Sequence, residues 1–187
     1  ISIRKNNLWG VSKHNGEIIT PIDYEFVLFD NYGYKDITLV RRNNKFGVLN
    51  FNLKNLYLLS KDKEKVSEIV PCQYDAMYDD YGRRTDDFFN FLRLYFVKEN
   101  DNNTIKCHKY DKIGILIGEF TCEKFCRNSI WINGKCGIIN SNGKIIAPCE
   151  YDEIDSITGS NVYNIAKIKK NNLWGVICEE DGTILVE

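Results

Sequence analysis

The chain has 187 residues, with 25 Lys and Arg against 26 Asp and Glu, so its formal net charge is −1. This near-neutral balance argues against nucleic acid as a partner, because a polyanion selects a basic surface. With 43% hydrophobic and 27% charged residues the chain is expected to be globular, and no apolar run reaches the roughly 18–20 residues that span a bilayer.

An eight-residue pattern opens the chain and returns near its end. Residues 4–11 read Arg-Lys-Asn-Asn-Leu-Trp-Gly-Val, and residues 169–176 repeat them with Lys in place of Arg. Related stretches lie between them at 41–48, 109–115 and 131–138. Aligning the five stretches predicts one equivalent glycine in each repeat unit, namely Gly10, Gly47, Gly114, Gly137 and Gly175.

A second element, Pro-x-x-Tyr followed by an acidic residue, supports the same alignment and contains Tyr24, Tyr74 and Tyr151. The proline follows the glycine by 11 residues in the first and fourth units but by 24 in the second, which predicts an insertion at 53–68. The third unit is short and has no such element. We therefore expect one domain of about five units, at approximately 1–36, 37–90, 91–127, 128–163 and 164–187.

These elements, in this order, resemble the WG repeat, also called KWG, a bacterial tandem repeat. Trp9 and Trp174 stand at its tryptophan position, whereas Phe46, Ile113 and Cys136 replace it. The resemblance is good over 3–29, 41–50, 131–157 and 167–187 and poor over about 51–130. It implies a β-rich interaction module, often part of a larger protein, with no catalytic residues and no cofactor.

Each unit is predicted to be an antiparallel meander of three to four strands. Asn-Asn or Asn-Gly pairs at 6–7, 43–44, 133–134 and 171–172 favour two-residue type I′ turns, because these residues tolerate positive φ. A single unit cannot bury both of its faces, so the units are expected to stack with the tryptophan between adjacent units. The result is an all-β stack, either of propeller-like blades or an open β-superhelix, with short helices expected only at 61–68 and 119–127.

The seven cysteines divide into two groups. Four of them, at aligned or strand positions, are expected to act as small apolar residues: Cys72, Cys136, Cys149 and Cys178. The others, Cys107, Cys122 and Cys126, are weak candidates for a zinc site or for a Cys122–Cys126 disulfide. No metal is expected, because Cys107 and the adjacent His108 should point to opposite faces of a strand.

The recurring acids Glu25, Asp75 and Asp152 could form a carboxylate array for cations or sugars. Their place after a turn tyrosine favours local hydrogen bonds to the backbone instead. The tyrosines are likewise expected to pack between units. The chain has only two histidines, and His14 is expected to be exposed, so an enzyme is not expected.

Two departures from the repeat are the candidate binding surface. One is the insertion at 53–68, and the other is a charged stretch at 78–97 that leads into an aromatic run. The candidate contact residues are Leu56, Tyr57, Asp80, Tyr81, Arg83, Arg84, Phe88 and Phe89. Tyr, Phe and Arg are common at protein interfaces, although a buried strand next to a solvated loop would have the same pattern.

We therefore expect a non-catalytic module that recognises another protein, or another domain of the same polypeptide, as the sensor or partner-binding part of a larger bacterial protein. The alternative is a carbohydrate or cell-envelope ligand module, suggested by 3 Trp, 11 Tyr and 10 Phe. A cytoplasmic location is expected, with export left open. The chain begins at Ile1 without an initiator Met and is expected to be a fragment.

Overall fold

The computed structural model describes residues 1–29, 37–50, 67–85, 93–111, 113–156 and 165–186. These ranges contain β-strands and no α-helix, which confirms the predicted all-β class and the tandem antiparallel meanders. None of the described residues forms a helix that could cross a membrane.

In the described ranges eighteen strands form five antiparallel sheets, numbered I to V. Within each sheet, strands that follow one another in sequence are paired. Sheet I contains β1 (Ser2–Lys5) and β2 (Leu8–Val11). Sheet II contains β3 (Phe26–Phe29), β4 (Ile37–Arg42), β5 (Lys45–Asn50) and β6 (Ser67–Tyr74).

The next three sheets repeat the four-strand order of sheet II. Sheet III contains β7 (Ala76–Tyr78), β8 (Tyr95–Glu99), β9 (Ile105–Tyr110) and β10 (Leu116–Cys122). Sheet IV contains β11 (Lys124–Cys126), β12 (Ser129–Ile132), β13 (Lys135–Ile139) and β14 (Ile145–Tyr151). Sheet V contains β15 (Glu153–Ser156), β16 (Ile165–Lys170), β17 (Leu173–Cys178) and β18 (Ile184–Val186).

The expected helix at 119–127 is wrong, since these residues belong to β10, β11 and the connections that follow them. Phe120 and Cys122 are buried while Thr121 is exposed, which is the alternation of a half-buried strand. Residues 61–66 of the other expected helix lie outside the described residues, and Ser67 and Glu68 are in β6.

The hairpin turns follow directly from the sequence. Both residues of the Asn6-Asn7, Asn43-Asn44 and Asn171-Asn172 pairs have φ between 52° and 65°, and Asn133-Gly134 behaves in the same way. Such turns match the twist of the strands that they join. The asparagines therefore fix the pairing register of the two central strands in these sheets.

The core lies between consecutive sheets, which stack face to face. Tyr24 of sheet I packs with Val40 and Leu49 of sheet II. Three further clusters join sheets II and III, III and IV, and IV and V. Nothing in the described part of the chain covers the far face of sheet V, where Trp174 is 49% exposed. These five sheets therefore form an open stack.

In sheets II and IV the last strand forms an arch, a segment in which extra residues cross over a glycine of the neighbouring strand. In sheet II Phe46 pairs with Tyr74 but Val48 pairs with Val70, so four residues of β6 span two residues of β5. A Cβ on Gly47 would lie 2.7 Å from the Cys72 sulfur. In sheet IV the same arch carries Cys149 over Gly137. The glycine is required because the arch crosses directly above it.

Sheet III corrects the predicted alignment of Gly114. The backbone N–H of Asp75 donates to the carbonyl of Val97, whose strand partner is Cys107, as Glu25 donates to Arg41, the partner of Phe46. Cys107 thus occupies the tryptophan position and His108 the glycine position. Gly114 has φ +86° and lies instead in the turn before β10. The local Ile-Gly-Ile pattern was misleading because Gly114, like the strand glycine Gly47, is flanked by apolar residues.

Sheet III has no arch opposite His108. From Gly118 to Cys122 its last strand pairs residue by residue, with Glu119 opposite His108 and Phe120 opposite Cys107, and its one register shift lies earlier, between Leu116 and Gly118. A side chain at the glycine position excludes a crossing strand, and β10 accordingly has no arch there. Phe120 therefore takes the place that Tyr74 and Tyr151 occupy in sheets II and IV.

Candidate functional site

Four acidic residues link the consecutive sheets. Each donates its backbone N–H to the second strand of the sheet that it opens, at 2.8–2.9 Å, and accepts on its carboxylate a backbone N–H from the end of that strand or from the turn that follows it. They are Glu25, Asp75, Glu123 and Asp152. The geometry supports the local hydrogen-bond interpretation over a ligand-binding array. Glu123 was missed because Cys122 rather than Tyr precedes it.

Cations strengthen two of these links. Lys45 of sheet II forms a hydrogen bond with Asp75, and Lys135 of sheet IV forms one with Asp152. The Lys45 ammonium, together with the backbone N–H of Glu99, holds the pKa of Asp75 below its ordinary value, against the opposing effect of burial. Each lysine thus ties one sheet to the start of the next.

The β7–β8 loop, residues 79–85 in the described part, carries four of the eight predicted contact residues. Its turn is closed by Asp79, whose carboxylate accepts the backbone N–H of Tyr81 and of Arg83 at 3.0 and 2.9 Å. The Arg83 side chain donates to the same carboxylate at 2.8 Å. Burial would raise the pKa of Asp79, but these hydrogen bonds outweigh it and the pKa is lowered. The carboxylate therefore stays ionised and fixes the loop.

Two guanidinium groups lie within reach of the Tyr81 ring. The Arg83 guanidinium is 5.1 Å from the ring centroid and the Arg127 guanidinium is 5.0 Å from it. Arg127 comes from the β11–β12 turn of sheet IV, has φ +53° and donates its N–H to the Asp80 carbonyl at 2.6 Å. A left-handed conformation is costly for Arg, so the surroundings must hold it there. The tyrosine is 41% exposed and remains available to a partner.

Further charges surround this tyrosine. Arg84 pairs with Glu99 at 3.2 Å and Arg93 lies 3.9 Å from Asp80, with the side chains of the two arginines 60% and 68% exposed. A groove of about 230 Å³ lies beside them, between Asp80 and Leu94. We call Tyr81, Arg83, Arg84, Arg93 and Arg127 the Arg/Tyr surface.

Other parts of the predicted surface cannot be placed beside it. Residues 53–66 of the insertion lie outside the described residues. The same is true of four predicted contact residues, Leu56, Tyr57, Phe88 and Phe89. Leu94 and Tyr95–Val97, at the end of the aromatic run, are buried in the core. The described part of that run is therefore a buried strand, as the alternative interpretation held, whereas the charged loop is exposed.

The cysteines do not converge on a metal. Cys107 and Cys122 are both buried between sheets III and IV, whereas Cys126 is exposed on β11. The hydrogen bond to Cys122 and burial raise the pKa of the Cys107 thiol well above its ordinary range. Within the described ranges, no three His, Cys, Asp or Glu side chains are grouped as metal ligands would be.

A polar cluster lies between sheets II and III. The Tyr74 and Tyr110 hydroxyls share a hydrogen bond, and the His108 ring lies 5.3 Å from the Tyr74 ring. Burial lowers the pKa of His108, and the nearby Lys106 adds to this effect. The cluster is part of the packing of the two sheets. Its ring contacts include His108, which occupies the position of the repeat glycine.

A second groove, of about 340 Å³, lies where sheet V meets the last strand of sheet IV. Trp174 and Tyr151 contribute aromatic surface, and Lys170 and Glu150 form an ion pair of 3.0 Å at its rim. Lys169 lies 5.3 Å from the centroid of Trp174. This groove combines an aromatic ring with charged and amide groups.

The fold and its repeated elements define a tandem β-repeat module. The model of one family, the WG containing repeat, matches residues 9–46 and 137–174. Each match runs from the tryptophan-glycine strand of one sheet to the same strand of the next, across the arch and the acidic link. These two segments thus match the WG repeat, as the sequence predicted. No curated protein and no solved structure gives a significant match.

Proposed function

We propose that this chain is a non-catalytic WG-repeat module that recognises another protein, or another domain of the same polypeptide, through its Arg/Tyr surface. The observation that carries the proposal is the exposed Tyr81, whose ring contacts two guanidinium groups on a loop that departs from the repeat. Tyr and Arg are the residues that most often dominate binding energy at interfaces. A rigid ring loses little conformational entropy on binding, which favours affinity.

The charges of this surface indicate the chemistry of the partner. Arg83, Arg84 and Arg93 have mostly exposed side chains, although each pairs with one acidic residue of this chain. Exposed guanidinium groups bind carboxylates in a bidentate fashion. The partner therefore presents acidic side chains around an apolar contact for Tyr81. Seven free cysteines support a cytoplasmic location.

The test compares two double variants that make the same change in net charge. Arg83→Glu with Arg127→Glu removes both cations from Tyr81, and Lys144→Glu with Lys167→Glu alters exposed residues on sheets IV and V. The immobilised chains are used to capture proteins from a lysate of the source cells, with quantitative mass spectrometry. The proposal expects a partner recovered by the wild type and the control but not by the Arg variant. Equal recovery by both variants would contradict it.

The groove of sheet V favours carbohydrate as a second candidate ligand. A sugar ring stacks on an aromatic face, and the Lys170–Glu150 pair and Asn171 at the rim supply polar partners. Glycan-array binding that is lost in Trp174→Ala and kept in Tyr81→Ala would support this function. An array without hits for the wild type would rule it out.

A further inference from the structure

The connections between strands lie on two opposite sides of the stack. Because the strands of each sheet run alternately up and down, the hairpin between the second and third strands and the acidic link lie on one side. The connections between the first and second strands and between the third and fourth lie on the other, which we call the loop side. The β7–β8 loop with Tyr81 and the β11–β12 turn with Arg127 are both on the loop side. In stacked repeats, departures from the repeat collect on one face, which is often the face that binds.

The β9–β10 turn is also on the loop side, and it has apolar residues where equivalent turns are polar. In sheets I, III and IV the turn after the tryptophan-glycine strand, or its equivalent, is closed by the same backbone hydrogen bond, at 2.8–2.9 Å. The residues before and after the turn glycine are polar in sheets I and IV and isoleucine in sheet III. They are Asn15 and Glu17, Asn142 and Lys144, and Ile113 and Ile115.

The conformation of this turn does not require isoleucine. The Asp111 carboxylate accepts the backbone N–H groups of Ile113 and Ile115 at 3.0 and 2.8 Å. In sheet IV the Asn140 side chain accepts the two equivalent N–H groups, at 3.0 and 3.1 Å, although the residues that donate them are polar. Since these hydrogen bonds involve only the backbone of the donors, the two isoleucine side chains are left without a role in the turn.

The isoleucines are also outside the core. Ile113 is 46% exposed and Ile115 is 57% exposed, and Leu116, which follows them, is 44% exposed. The turn contacts sheet II through its glycine instead, since a Cβ on Gly114 would lie 2.5 Å from the Cβ of Ile69. We call Ile113, Ile115 and Leu116 the aliphatic patch.

The aliphatic patch lies beside part of the Arg/Tyr surface. Arg93 precedes β8, and Ile115 precedes β10. The register of β8 on β9, with Phe96 opposite His108, places Arg93 beside Asp111 by extension, and the Asp111 N–H donates to the Ile115 carbonyl at 2.9 Å. Neighbouring strands are about 4.8 Å apart, so the backbones of Arg93 and Ile115 are separated by roughly 10 Å.

We propose that the Arg/Tyr surface and the aliphatic patch form one surface, which binds a short segment of the partner protein with one acidic anchor and one large aliphatic anchor. The acidic side chain pairs with the Arg93 guanidinium, and the aliphatic side chain packs on Ile113 and Ile115. In an extended segment a separation of roughly 10 Å corresponds to about three residues. The inference rests on the proposed function and deepens it, because it adds the second contact and the spacing between the two.

Charge and area favour this occupant over a second copy of the chain. The Arg93 side chain is 68% exposed and its nitrogen lies 3.9 Å from the Asp80 carboxylate, so the guanidinium can accept a second carboxylate as partner. Three half-exposed side chains offer far less than the area of about 800 Å² that each partner buries in a stable dimer. A small apolar contact next to a charged one suits a short segment, in which the apolar residue supplies affinity and the acid supplies orientation.

The probe is a phage-displayed library of random dodecapeptides, selected on the immobilised chain. The most enriched peptide is then synthesised with a fluorophore, and its affinity is measured by fluorescence anisotropy. The proposal expects the enriched peptides to share an acidic residue and a Leu, Ile, Met or Phe about three residues from it. Replacing that apolar residue by Ser should weaken binding by about tenfold.

Two double variants of the chain locate the apolar contact. Ile113→Asn with Ile115→Thr introduces polar residues into the aliphatic patch without changing the net charge. The control, Ile18→Asn with Leu185→Thr, makes the same kind of change on sheets I and V, where these side chains are 58% and 54% exposed. The first variant should bind the peptide about tenfold more weakly and the control within twofold of the wild type. The Ser peptide should lose nothing further in the first variant, because the two changes remove the same contact.

The outcomes distinguish failure of this inference from failure of the proposed function. If affinity falls in the Arg83→Glu and Arg127→Glu variant but not in the isoleucine variant, the aliphatic contact is wrong and the proposed function stands. If affinity falls in the isoleucine variant alone, the proposed function is contradicted and so is the combined surface. Enrichment of no peptide, or of peptides that bind both variants as tightly as the wild type, would contradict both.

Two further measurements test the other possible occupants of the patch. A urea midpoint lower in the isoleucine variant than in the control would mean that the patch is covered by the chain itself. A dimer detected by sedimentation in the wild type and lost in the isoleucine variant would mean that it is covered by a second copy. Either result would overturn the proposal.

Discussion

Sheets III and IV share their strand order but are packed by different means. In sheet IV an arch crosses Gly137, and Cys149 fills the space above the glycine. In sheet III His108 replaces the glycine, the last strand pairs without an arch, and Phe120 fills the core. The glycine and the arch are therefore gained or lost together. The family model matches the first arrangement and not the second.

The largest loss of stability should come from replacing Phe120, whose ring fills the core where sheet III has no arch. Phe120 is 3% exposed and contacts the rings of Tyr95 and Phe125 at 5.5 and 5.4 Å between centroids. Phe120→Ala should lower the free energy of unfolding by about 3–5 kcal/mol, because it leaves a cavity between two sheets. Urea denaturation followed by circular dichroism measures this. A loss below 1 kcal/mol would show that Phe120 is not a core residue of sheet III.

The next effect tests the arch itself. A Cβ at Gly137 would lie 2.8 Å from the Ala147 carbonyl oxygen and 2.9 Å from the Cys149 nitrogen. Gly137→Val should therefore cost about 2–3 kcal/mol of unfolding free energy through overpacking. His108→Val, at the same position of sheet III, should cost only about 1 kcal/mol, from its lost contact with Tyr74. Equal losses in urea denaturation would contradict the coupling of glycine and arch.

The acidic links should contribute less, and in a pH-dependent way. Asp75→Asn should cost about 1 kcal/mol near neutral pH, a value that allows for solvent screening of the Lys45 pair. Because folding lowers the pKa of Asp75 from 3.8, its contribution is complete above that value and disappears as the pH falls through the folded pKa. The wild type and the variant should therefore converge in stability at the acid end. Parallel stability curves between pH 7 and pH 2 would contradict this assignment.

The smallest perturbation is chemical and leaves the fold intact. Among the seven thiols Cys126 is the exposed one, while burial raises the pKa of Cys149 to about 11. At pH 8 iodoacetamide should therefore modify Cys126 first, since its side chain is exposed to the reagent whereas the other six thiols are buried or partly buried. Mass spectrometry of native protein should show a single early adduct, absent in Cys126→Ser. Early modification of Cys149 would mean that the arch of sheet IV opens readily.

Local chemistry explains which predictions succeeded. The Asn-Asn and Asn-Gly turns and the strands that they join depend on residues close in sequence, and these elements were predicted correctly in sheets II and IV. The arch was not predicted, because the third strand was expected to end at the proline, whereas β6 and β14 continue through it. The Gly114 alignment failed because a short apolar-glycine pattern fits either a strand or a turn. Only the pairing of Cys107 with Val97 distinguishes the two.

The candidate site divides in the same way. The charges of the β7–β8 loop are visible in the sequence, but the contact of Arg127 with Tyr81 is not. These two residues lie in different sheets, and the stacking of sheet IV on sheet III brings them together. Glu123 was missed for a related reason, since its role is defined by hydrogen bonds with Trp131 and Asn133 rather than by a preceding tyrosine.

The sequence by itself determined the β-class, the hairpin turns and the existence of repeat units, because backbone conformation and strand alternation are set by neighbouring residues. The tertiary structure decided which residues are equivalent between units and which ring fills the space in the sheet that has no arch. These features depend on contacts between sheets, where a side chain in one unit is placed by the backbone of another. The repeat pattern in the sequence predicts the strands and turns of each sheet, and the packing between sheets determines how the sheets differ.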